Sequence, residues 1–460
     1  MKRIAHISLH GDPLEPLGSI EAGGQNVYVR NVAANLARSG VHVDVFTRWN
    51  NPQKQRVEEI ASGARSIRLK GGPLSFVKKE KLLDFIDEMI GDFHQFANEE
   101  GLEYDLIHTH YYVEGEFGLR LARQLGVPHF HTFHSLGRIK LNHDQLQGTA
   151  NTADYMERLE IEKRLMAQAD ILVATSPHEA QDFSDWYSHT NSNTTIIPCG
   201  LDPGLFRTRG RHHAREKLGL PLDKHIALYV GRLDPRKGLE TLLFAYRELL
   251  FELGRKADDA LLVIVGGKIG CTPPDPELSA FRKMAASLHL TEWDGERGNV
   301  LFAGSHPQEV VARYYSAADF SVVPSYYEPF GMVAIETQAC GTPAIVSAVG
   351  GLRYAVEDRF GGLHAKPYSP SDLCDKMLHL IKDAEFCRRM GRLGKQRVLQ
   401  KFTWNEVSRE LYSEYTAALA ARVRRPAANV ITMATTPAAA PLYSKRSRVT
   451  QMAPHNQLGA

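Results

Sequence analysis

Two glutamates in the segment "YYEPFGMVAIETQACGTPAI" carry the most specific chemical signal in this chain. Glu328 stands in the loop that follows an apolar strand, and Glu336 lies inside the helix predicted after it. Carboxylates so placed accept hydrogen bonds from the hydroxyl groups of a ribose or a sugar ring. An isolated pair also fits a helix cap and a solvated helix residue. Here Pro329, Phe330 and Gly331 predict a sharp helix start, which favours a binding site.

The segment "GRLDPRKG" adds two cations at the end of another predicted strand. Arg232 and Lys237 bracket a loop whose backbone amides lead into a helix, a natural place for a diphosphate. At an effective dielectric near 20, each cation about 4 Å from a phosphate contributes roughly 4 kcal/mol before desolvation. A basic surface turn is the alternative for this motif alone. Because the chain contains no Asp-x-Asp pair, we expect these cations to replace a metal ion, and we predict no metal site or other cofactor.

Three histidines at alternating positions mark "PHFHTFHSLGRIK". Such spacing could indicate metal ligation, but His129 and His131 fall within a predicted strand and no carboxylate completes a site. His134 leaves the same strand at its C-terminal end. We therefore expect His134 to face a sugar ring. The strand before it ends in a similar segment, "HTHYY".

A long acidic loop precedes the first predicted helix, which starts at Gly23 and Gly24. Glycine lets the backbone of a helix N-terminus approach a phosphate closely. The inserted residues 11–22 are predicted to form a lid that closes over bound substrate. Gln25 follows the glycines and is placed to reach a second ligand.

The elements that must position these residues alternate between short β-rich runs and helical patterns in both halves of the chain. This alternation predicts an α/β fold with two doubly wound, Rossmann-like domains facing a central cleft lined by the C-terminal ends of both sheets. The segment "TTIIPCGLDPGLF" interrupts the pattern. We predict an N-terminal domain over 1–205, a C-terminal domain over 206–403, a helix over 404–423 that packs back on the first domain, and a disordered tail over 424–460.

Composition limits the possible partners. The formal charge of +2 over 460 residues gives no general basic surface, so a nucleic-acid partner is not expected. No apolar run approaches the roughly 20 residues needed to span a bilayer. Cysteines without Cys-x-x-Cys spacing indicate a reducing compartment, and we expect a cytoplasmic protein, with peripheral membrane contact left open. The cysteines are Cys199, Cys271, Cys340, Cys374 and Cys387.

Taken together, the double glycine, "HSLG", "GRLDPRKG" and "EPFGMVAIE" resemble the motifs of the retaining GT-B glycosyltransferases of family 4. The resemblance is strongest to the branch of sucrose-phosphate synthase, sucrose synthase and the inositol-phosphate glycosyltransferases. It covers the chain up to about residue 423, and it implies a hexosyltransferase that uses a nucleotide sugar as co-substrate.

The resemblance implies roles for individual residues. The donor would be bound by a set shared between the first helix start and the C-terminal domain: Gly24, Arg232, Lys237, Glu328, Phe330, Gly331 and Glu336. His134, Glu328, Arg232 and Lys237 would act on the reacting sugar and its leaving diphosphate. A phosphorylated acceptor would be bound by Gly23, Gln25, Lys79, Tyr111, Ser135, Lys140 and Arg158.

Three functions stay open at this point. The preferred one is transfer of a sugar, in the first instance glucose from UDP- or ADP-glucose, to a sugar phosphate such as fructose 6-phosphate. The second is a related transferase that uses inositol phosphate or a glycan or lipid precursor. The third, a protein that binds nucleotide sugars without catalysis, is disfavoured because both glutamates, both cations and His134 are present.

Overall fold

Two β-sheets form the framework of the chain. The computed structural model describes residues 1–15, 23–146, 148 and 151–424. The predicted lid lies partly outside these residues, and the predicted tail lies outside them from residue 425 onward. Residues Met1–Leu419 group into one unit, and a second unit begins at Ala420. In the described part of the chain, no helix combines the length and apolar character that crossing a membrane requires.

The first sheet has eight strands in the order β3-β4-β2-β1-β5-β6-β7-β8. All neighbouring strands are parallel except β3 and β4, which form an antiparallel hairpin at one edge. The strands are β1 (Arg3–Ile7), β2 (His42–Arg48), β3 (Val57–Ala61), β4 (Ala64–Leu69), β5 (Leu106–His110), β6 (His129–Thr132), β7 (Ile171–Ala174) and β8 (Thr194–Ile196).

The second sheet has six parallel strands in the order β11-β10-β9-β12-β13-β14. Its central strands are continuously apolar, as "ALLVIV" in β10 shows, because helices cover both faces of a parallel sheet. The strands are β9 (His225–Val230), β10 (Ala260–Val265), β11 (Val300–Phe302), β12 (Phe320–Val323), β13 (Ala344–Ser347) and β14 (Gly362–Ala365).

Helices connect the strands of both sheets. Those of the first half are α1 (Gly24–Arg38), α2 (Ile86–Glu100), α3 (Tyr112–Leu125), α4 (Gly137–Leu146), α5 (Ala153–Gln168) and α6 (Pro177–Tyr187). Those that follow are α7 (Arg211–Leu218), α8 (Leu239–Leu253), α9 (Pro276–Ser287), α10 (Gln308–Ala317), α11 (Met332–Ala339), α12 (Leu352–Ala355), α13 (Pro370–Lys382), α14 (Ala384–Lys401) and α15 (Trp404–Arg424). Short 3₁₀ turns span Lys79–Phe85, Pro235–Lys237 and Gly254–Asp259.

This architecture confirms the predicted α/β class with two parallel sheets. The sequence pattern did not indicate every element, as the β3–β4 hairpin and helix α4 show. The β3–β4 hairpin turns at Gly63, whose φ of +84° suits glycine, but the charges in "VEEIASGARSIRL" conceal the strand pattern. Helix α4 lies in a segment rich in polar residues that gives a weak helical period.

The chain crosses from the second sheet back to the first before α15. The backbone amide of Leu201 donates to Phe402 at 2.8 Å, and the amide of Trp404 donates back to Leu201 at 3.1 Å. A side chain at Gly200 would collide with the Trp404 ring, so glycine permits this close crossing. Tyr415 of α15 lies fully buried against the first sheet, where its hydroxyl meets His108 at 2.5 Å.

Candidate active site

The predicted site residues collect at the C-terminal ends of the parallel strands. Tyr111 follows β5, His134 follows β6, and Arg232 follows β9. Glu328 lies in the loop after β12, beside the start of α11. Because parallel strands end at the same edge of a sheet, Tyr111 and His134 lie at one edge of the first sheet. Arg232 and Glu328 lie likewise at one edge of the second sheet.

Lys237 and Glu328, 91 positions apart, form an ion pair at this edge. Lys237 Nζ lies 2.5 Å from Glu328 Oε2, and the two side chains keep 25% and 17% of their exposure. The sequence predicted both residues but not their contact. Arg232 is exposed beside them, and its carbonyl accepts a hydrogen bond from the Tyr229 hydroxyl at 2.9 Å. Because both side chains are partly exposed, one ligand can contact the ammonium group of Lys237 and the carboxylate of Glu328 together.

Close backbone packing fixes the loops that carry this pair. Gly238 follows Lys237 with φ +69°, and a Cβ there would lie 2.0 Å from the Pro324 carbonyl oxygen. The amide of Gly351 donates to the carbonyl of Glu328 at 3.0 Å. Gly331 has φ +108° and begins α11 as its N-cap. Phe330 is buried and packs edge to face on a core phenylalanine, so any donor contact falls to its backbone.

Glu336 lies on α11 and is nearly buried. Burial raises the pKa of Glu336 to about 7, against which the hydrogen bond from Tyr315, at 2.9 Å, acts in the lowering direction. The carboxylate lines a cavity of about 240 Å³. The same cavity is lined by Asn26 and Arg30 of α1 and by Gln308 of α10, so elements of both sheets enclose it. Glu336 is not the solvated helix residue that its position alone allowed.

The start of α1 is open. Gly23 is the N-cap and Gly24 the first residue of the helix, and a Cβ on either would meet no described atom within 4 Å. Packing does not require these glycines, which is consistent with space kept for a ligand. Gln25 instead binds within the chain, since its amide donates to Ser8 Oγ at 3.1 Å and to the carbonyl of His110 at 3.3 Å.

His134 occupies a strained backbone position, with φ +56°. Its Nε2 atom lies 3.1 Å from Nδ1 of His110, and the Tyr28 ring meets it edge on at 5.0 Å between centroids. Burial lowers the pKa of His134 to about 3, so the ring is neutral at physiological pH. His134 is partly exposed, and its Nδ1 atom has no hydrogen-bond partner within the described ranges.

Arg158 organises the predicted acceptor residues around Tyr111. It is buried, pairs with Glu162 at 2.8 Å, and donates to the Tyr111 hydroxyl at 2.9 Å. It also donates to the carbonyl oxygen of Ser135 at 2.6 Å and to its Oγ at 3.3 Å. Three residues predicted from separate motifs thus share one network, and Glu162, which the sequence did not reveal, neutralises its cation.

Lys140 adds a second cation on the same ring, 6.0 Å from the Tyr111 centroid. The pKa of Lys140 is lowered to about 7, mainly by burial and in addition by the nearby cations Arg158, Arg236 and Lys79. Lys79 also lies 3.4 Å from Glu80. Arg236 belongs to the second half of the chain and was not predicted. Carboxylates pair with three of these cations: Glu162 with Arg158, Glu80 with Lys79, and Asp234 with Arg236. Lys140 has no ion-pair partner among the described residues, so it is the cation that an anionic ligand can pair with.

His110, the partner of His134, belongs to a group of three buried histidines. His6, His108 and His110 are buried, and one ring nitrogen from each lies within 4.8 Å of the others. Sequence reasoning had weighed a metal at His129, His131 and His134 instead. His129 and His131 are buried and both bond to Thr109, at 2.8 and 2.7 Å, so they share no site with His134.

Comparison with known proteins agrees with this geometry. Residues 22–205 match the model of Glycosyltransferase Family 4, and residues 210–397 match that of glycosyl transferases group 1. A D-inositol 3-phosphate glycosyltransferase from Corynebacterium jeikeium is 35% identical over 92% of this chain and 100% of its own.

Two solved structures place the fold. Sucrose-phosphate synthase from Thermosynechococcus elongatus superposes with a TM-score of 0.79 and 36% identity, covering 92% of this chain and 100% of its own. Anabaena HepE, solved with UDP and glucose, gives a TM-score of 0.67 at 18% identity, covering 91% and 100% of the two chains, which supports the fold alone. The chain therefore belongs to family 4 of the glycosyltransferases and is a glycosyltransferase with the GT-B fold.

Proposed function

We propose that this enzyme transfers glucose from UDP- or ADP-glucose to a phosphorylated sugar, with retention of anomeric configuration and without a metal ion. The observation that carries the proposal is that each sheet contributes one charged group: the second sheet carries the Lys237–Glu328 pair, and the first carries the cationic cluster around Tyr111. Arg236, next to Lys237 in the sequence, is close enough to influence Lys140 of that cluster. The first suits a diphosphate next to sugar hydroxyls. The second suits an acceptor phosphate.

In our proposal, different residues bind the diphosphate, the ribose and the sugar of the nucleotide-sugar donor. Lys237 and Arg232 bind the diphosphate, together with the backbone amides at Gly24 and Gly331. Glu336 accepts hydrogen bonds from the ribose hydroxyls, and its cavity is enclosed from both halves of the chain. Glu328 accepts hydrogen bonds from the donor sugar. The ion pair holds Lys237 and Glu328 in place before the donor arrives.

The chemical step we propose is the one that the resemblance to retaining family 4 glycosyltransferases implies. The bond between the anomeric carbon and the leaving phosphate oxygen breaks, and an acceptor hydroxyl forms a new bond on the same face. The acceptor proton passes to an oxygen of the leaving phosphate. The chain contributes mainly electrostatic stabilisation: Lys237 and Arg232 stabilise the departing diphosphate, and the closed site excludes water. His134 contacts the reacting sugar as a neutral imidazole.

Fructose 6-phosphate is our preferred acceptor, and Gln25 with "HSLG" supports it. The 36% identity to a sucrose-phosphate synthase over its full length agrees with this choice. Inositol 3-phosphate is the second candidate, because a relative of similar identity carries that activity in its name. The cationic cluster serves either acceptor. We further propose a cytoplasmic setting, supported by five unpaired cysteines.

A product assay tests the proposal. The enzyme is incubated with UDP- or ADP-glucose and each phosphorylated acceptor in the presence of EDTA, and the product is identified by mass spectrometry and by NMR of the anomeric centre. We expect one product, a phosphorylated glycoside in which the transferred glucose keeps the donor's α configuration, and Glu328→Gln should lower its rate by about 10². Arg282→Met, which breaks an exposed ion pair in the same half of the chain, is the matched control. A product of inverted configuration, or activity abolished by EDTA, would contradict the proposed mechanism.

A further inference from the structure

A continuous chain of hydrogen bonds runs from His134 into the core of the first sheet. His134 Nε2 meets His110 Nδ1 at 3.1 Å, and His110 Nε2 meets His6 Nδ1 at 3.1 Å. His110 ends β5 and His6 lies on β1, two adjacent strands. Their rings are fully buried, so water does not supply alternative partners.

This series of hydrogen bonds continues to helix α15. His6 Nε2 lies 3.4 Å from the Tyr415 hydroxyl, which lies 2.5 Å from His108 Nδ1. His108 Nε2 then meets Thr132 Oγ1 at 2.8 Å. Both ring nitrogens of each of the three inner histidines therefore have a partner. Among the described residues, the Tyr415 hydroxyl is the one that joins the His6 and His108 segments of this hydrogen-bond chain.

Because the imidazole rings are neutral, all hydrogen bonds in this series must point the same way from donor to acceptor on each side of Tyr415. Burial lowers the pKa of His6 and His134 to about 3 and lowers that of His108 and His110 well below the usual range. A neutral imidazole has one N–H, so a ring that donates on one side must accept on the other. The direction of each hydrogen bond is thereby coupled to the next, and the single proton of the Tyr415 hydroxyl decides the direction for all.

The distances favour one of the two directions. The Tyr415 hydroxyl lies 2.5 Å from His108 Nδ1 and 3.4 Å from His6 Nε2. We assign its single O–H to the shorter contact, so that Tyr415 donates to His108 and His6 Nε2–H donates to Tyr415. His110 then donates from Nε2 to His6, and His134 donates from Nε2 to His110. This leaves His134 Nδ1 as an unprotonated acceptor without a partner among the described residues.

We propose that Tyr415 is a positioning residue that fixes the tautomer of His134 through His6 and His110, so that His134 Nδ1 accepts a hydrogen bond from a hydroxyl of the reacting sugar. Contact between His134 and the sugar rests on the proposed function. The tautomer itself does not. Helix α15 thus sets the tautomer of a side chain that follows β6 of the first sheet.

The test is the tautomer of His134, read from long-range ¹H–¹⁵N NMR correlations of ¹⁵N-histidine protein and assigned with His134→Gln. Wild-type protein should show the Nε2–H form alone. Tyr415→Phe keeps the ring but removes the hydroxyl, and it should give a mixture of tautomers and a three- to tenfold fall in kcat with KM for the donor little changed. Tyr246→Phe, a buried tyrosine in the other half of the chain, should match wild type in both readouts.

The outcomes are separable. An unchanged single tautomer in Tyr415→Phe overturns the proposal, as does a stoichiometric metal ion bound by His6, His108 and His110 in purified protein. A changed tautomer with unchanged kinetics supports the positioning role and counts against the proposed contact of His134 with the sugar. Should Tyr415→Phe fail to fold, Thr132→Val removes the acceptor at the far end of the chain and should shift the same NMR signals.

Discussion

Replacing Lys237 with methionine removes the cation proposed to stabilise the leaving diphosphate while keeping the length of the side chain. In the ligand-free enzyme, Nζ of Lys237 lies 2.5 Å from Glu328 Oε2. The variant therefore loses a charge for the donor and also leaves Glu328 without its partner. We expect the catalytic effect to exceed the effect on stability by a wide margin.

The effect on stability is smaller than the effect on catalysis because the ion pair is partly solvated in the free enzyme, whereas the transition state is shielded from water. Both side chains keep part of their exposure, 25% and 17%, so the ion pair contributes about 1 kcal/mol or less to stability. In the closed transition state, loss of one preorganised charge-stabilising donor costs roughly 3–4 kcal/mol, which lowers kcat/KM by about 10²- to 10³-fold.

Steady-state rates with varied UDP-glucose measure this effect, and urea denaturation measures stability. Arg282→Met again serves as control, since it should cost similar stability and no activity. A double-mutant cycle with Glu328→Gln should show that the two losses are not additive, because the residues are in contact. Rates of Lys237→Met within about threefold of wild type would remove this residue from the mechanism.

Three further predictions concern other parts of the site and its supports. Glu336→Gln should weaken UDP binding about tenfold in calorimetry, since the amide is a poorer acceptor for ribose hydroxyls than the carboxylate, and equal affinity would refute the ribose contact. The pKa of Lys140 is lowered to about 7, and a bound phosphate dianion favours its ammonium form. Acceptor binding at pH 7–8 should therefore take up protons. Calorimetry should show this uptake as a binding enthalpy that depends on the buffer, and Lys140→Met should abolish that dependence. Gly238→Ala should lower the free energy of unfolding by about 2 kcal/mol or more, because its Cβ meets the Pro324 carbonyl, while Gly219→Ala, at a similar φ in open space, should cost about 1 kcal/mol. Equal urea midpoints for these two variants would show that the clash is relieved at no cost.

Local sequence patterns were sufficient to predict most of the fold. A strand such as "ALLVIV" indicates a parallel sheet because its residues are apolar on both faces. Helix α1 begins at the predicted Gly24. Motif positions at strand ends also placed Glu328 and His134 in loops at the correct edge. These features depend on residues close in sequence, which is why they could be read directly.

Contacts between distant segments were not predictable from the sequence. The pairing of Lys237 with Glu328 depends on how the loops after β9 and β12 pack. Arg236 joins the cations near Lys140 only because the two halves of the chain meet there. The bond between Tyr415 and His108 spans 307 positions, and no local pattern in α15 indicates it.

The most direct test of the central claim is discrimination by the acceptor phosphate. Initial rates give kcat/KM for fructose 6-phosphate, inositol 3-phosphate and their unphosphorylated forms with the preferred nucleotide sugar. We predict that one phosphorylated acceptor exceeds its neutral form by about 10² or more and that Lys140→Met reduces this ratio at least tenfold. If neither phosphorylated acceptor outperforms its neutral form, the assignment of the cationic cluster to an acceptor phosphate is wrong.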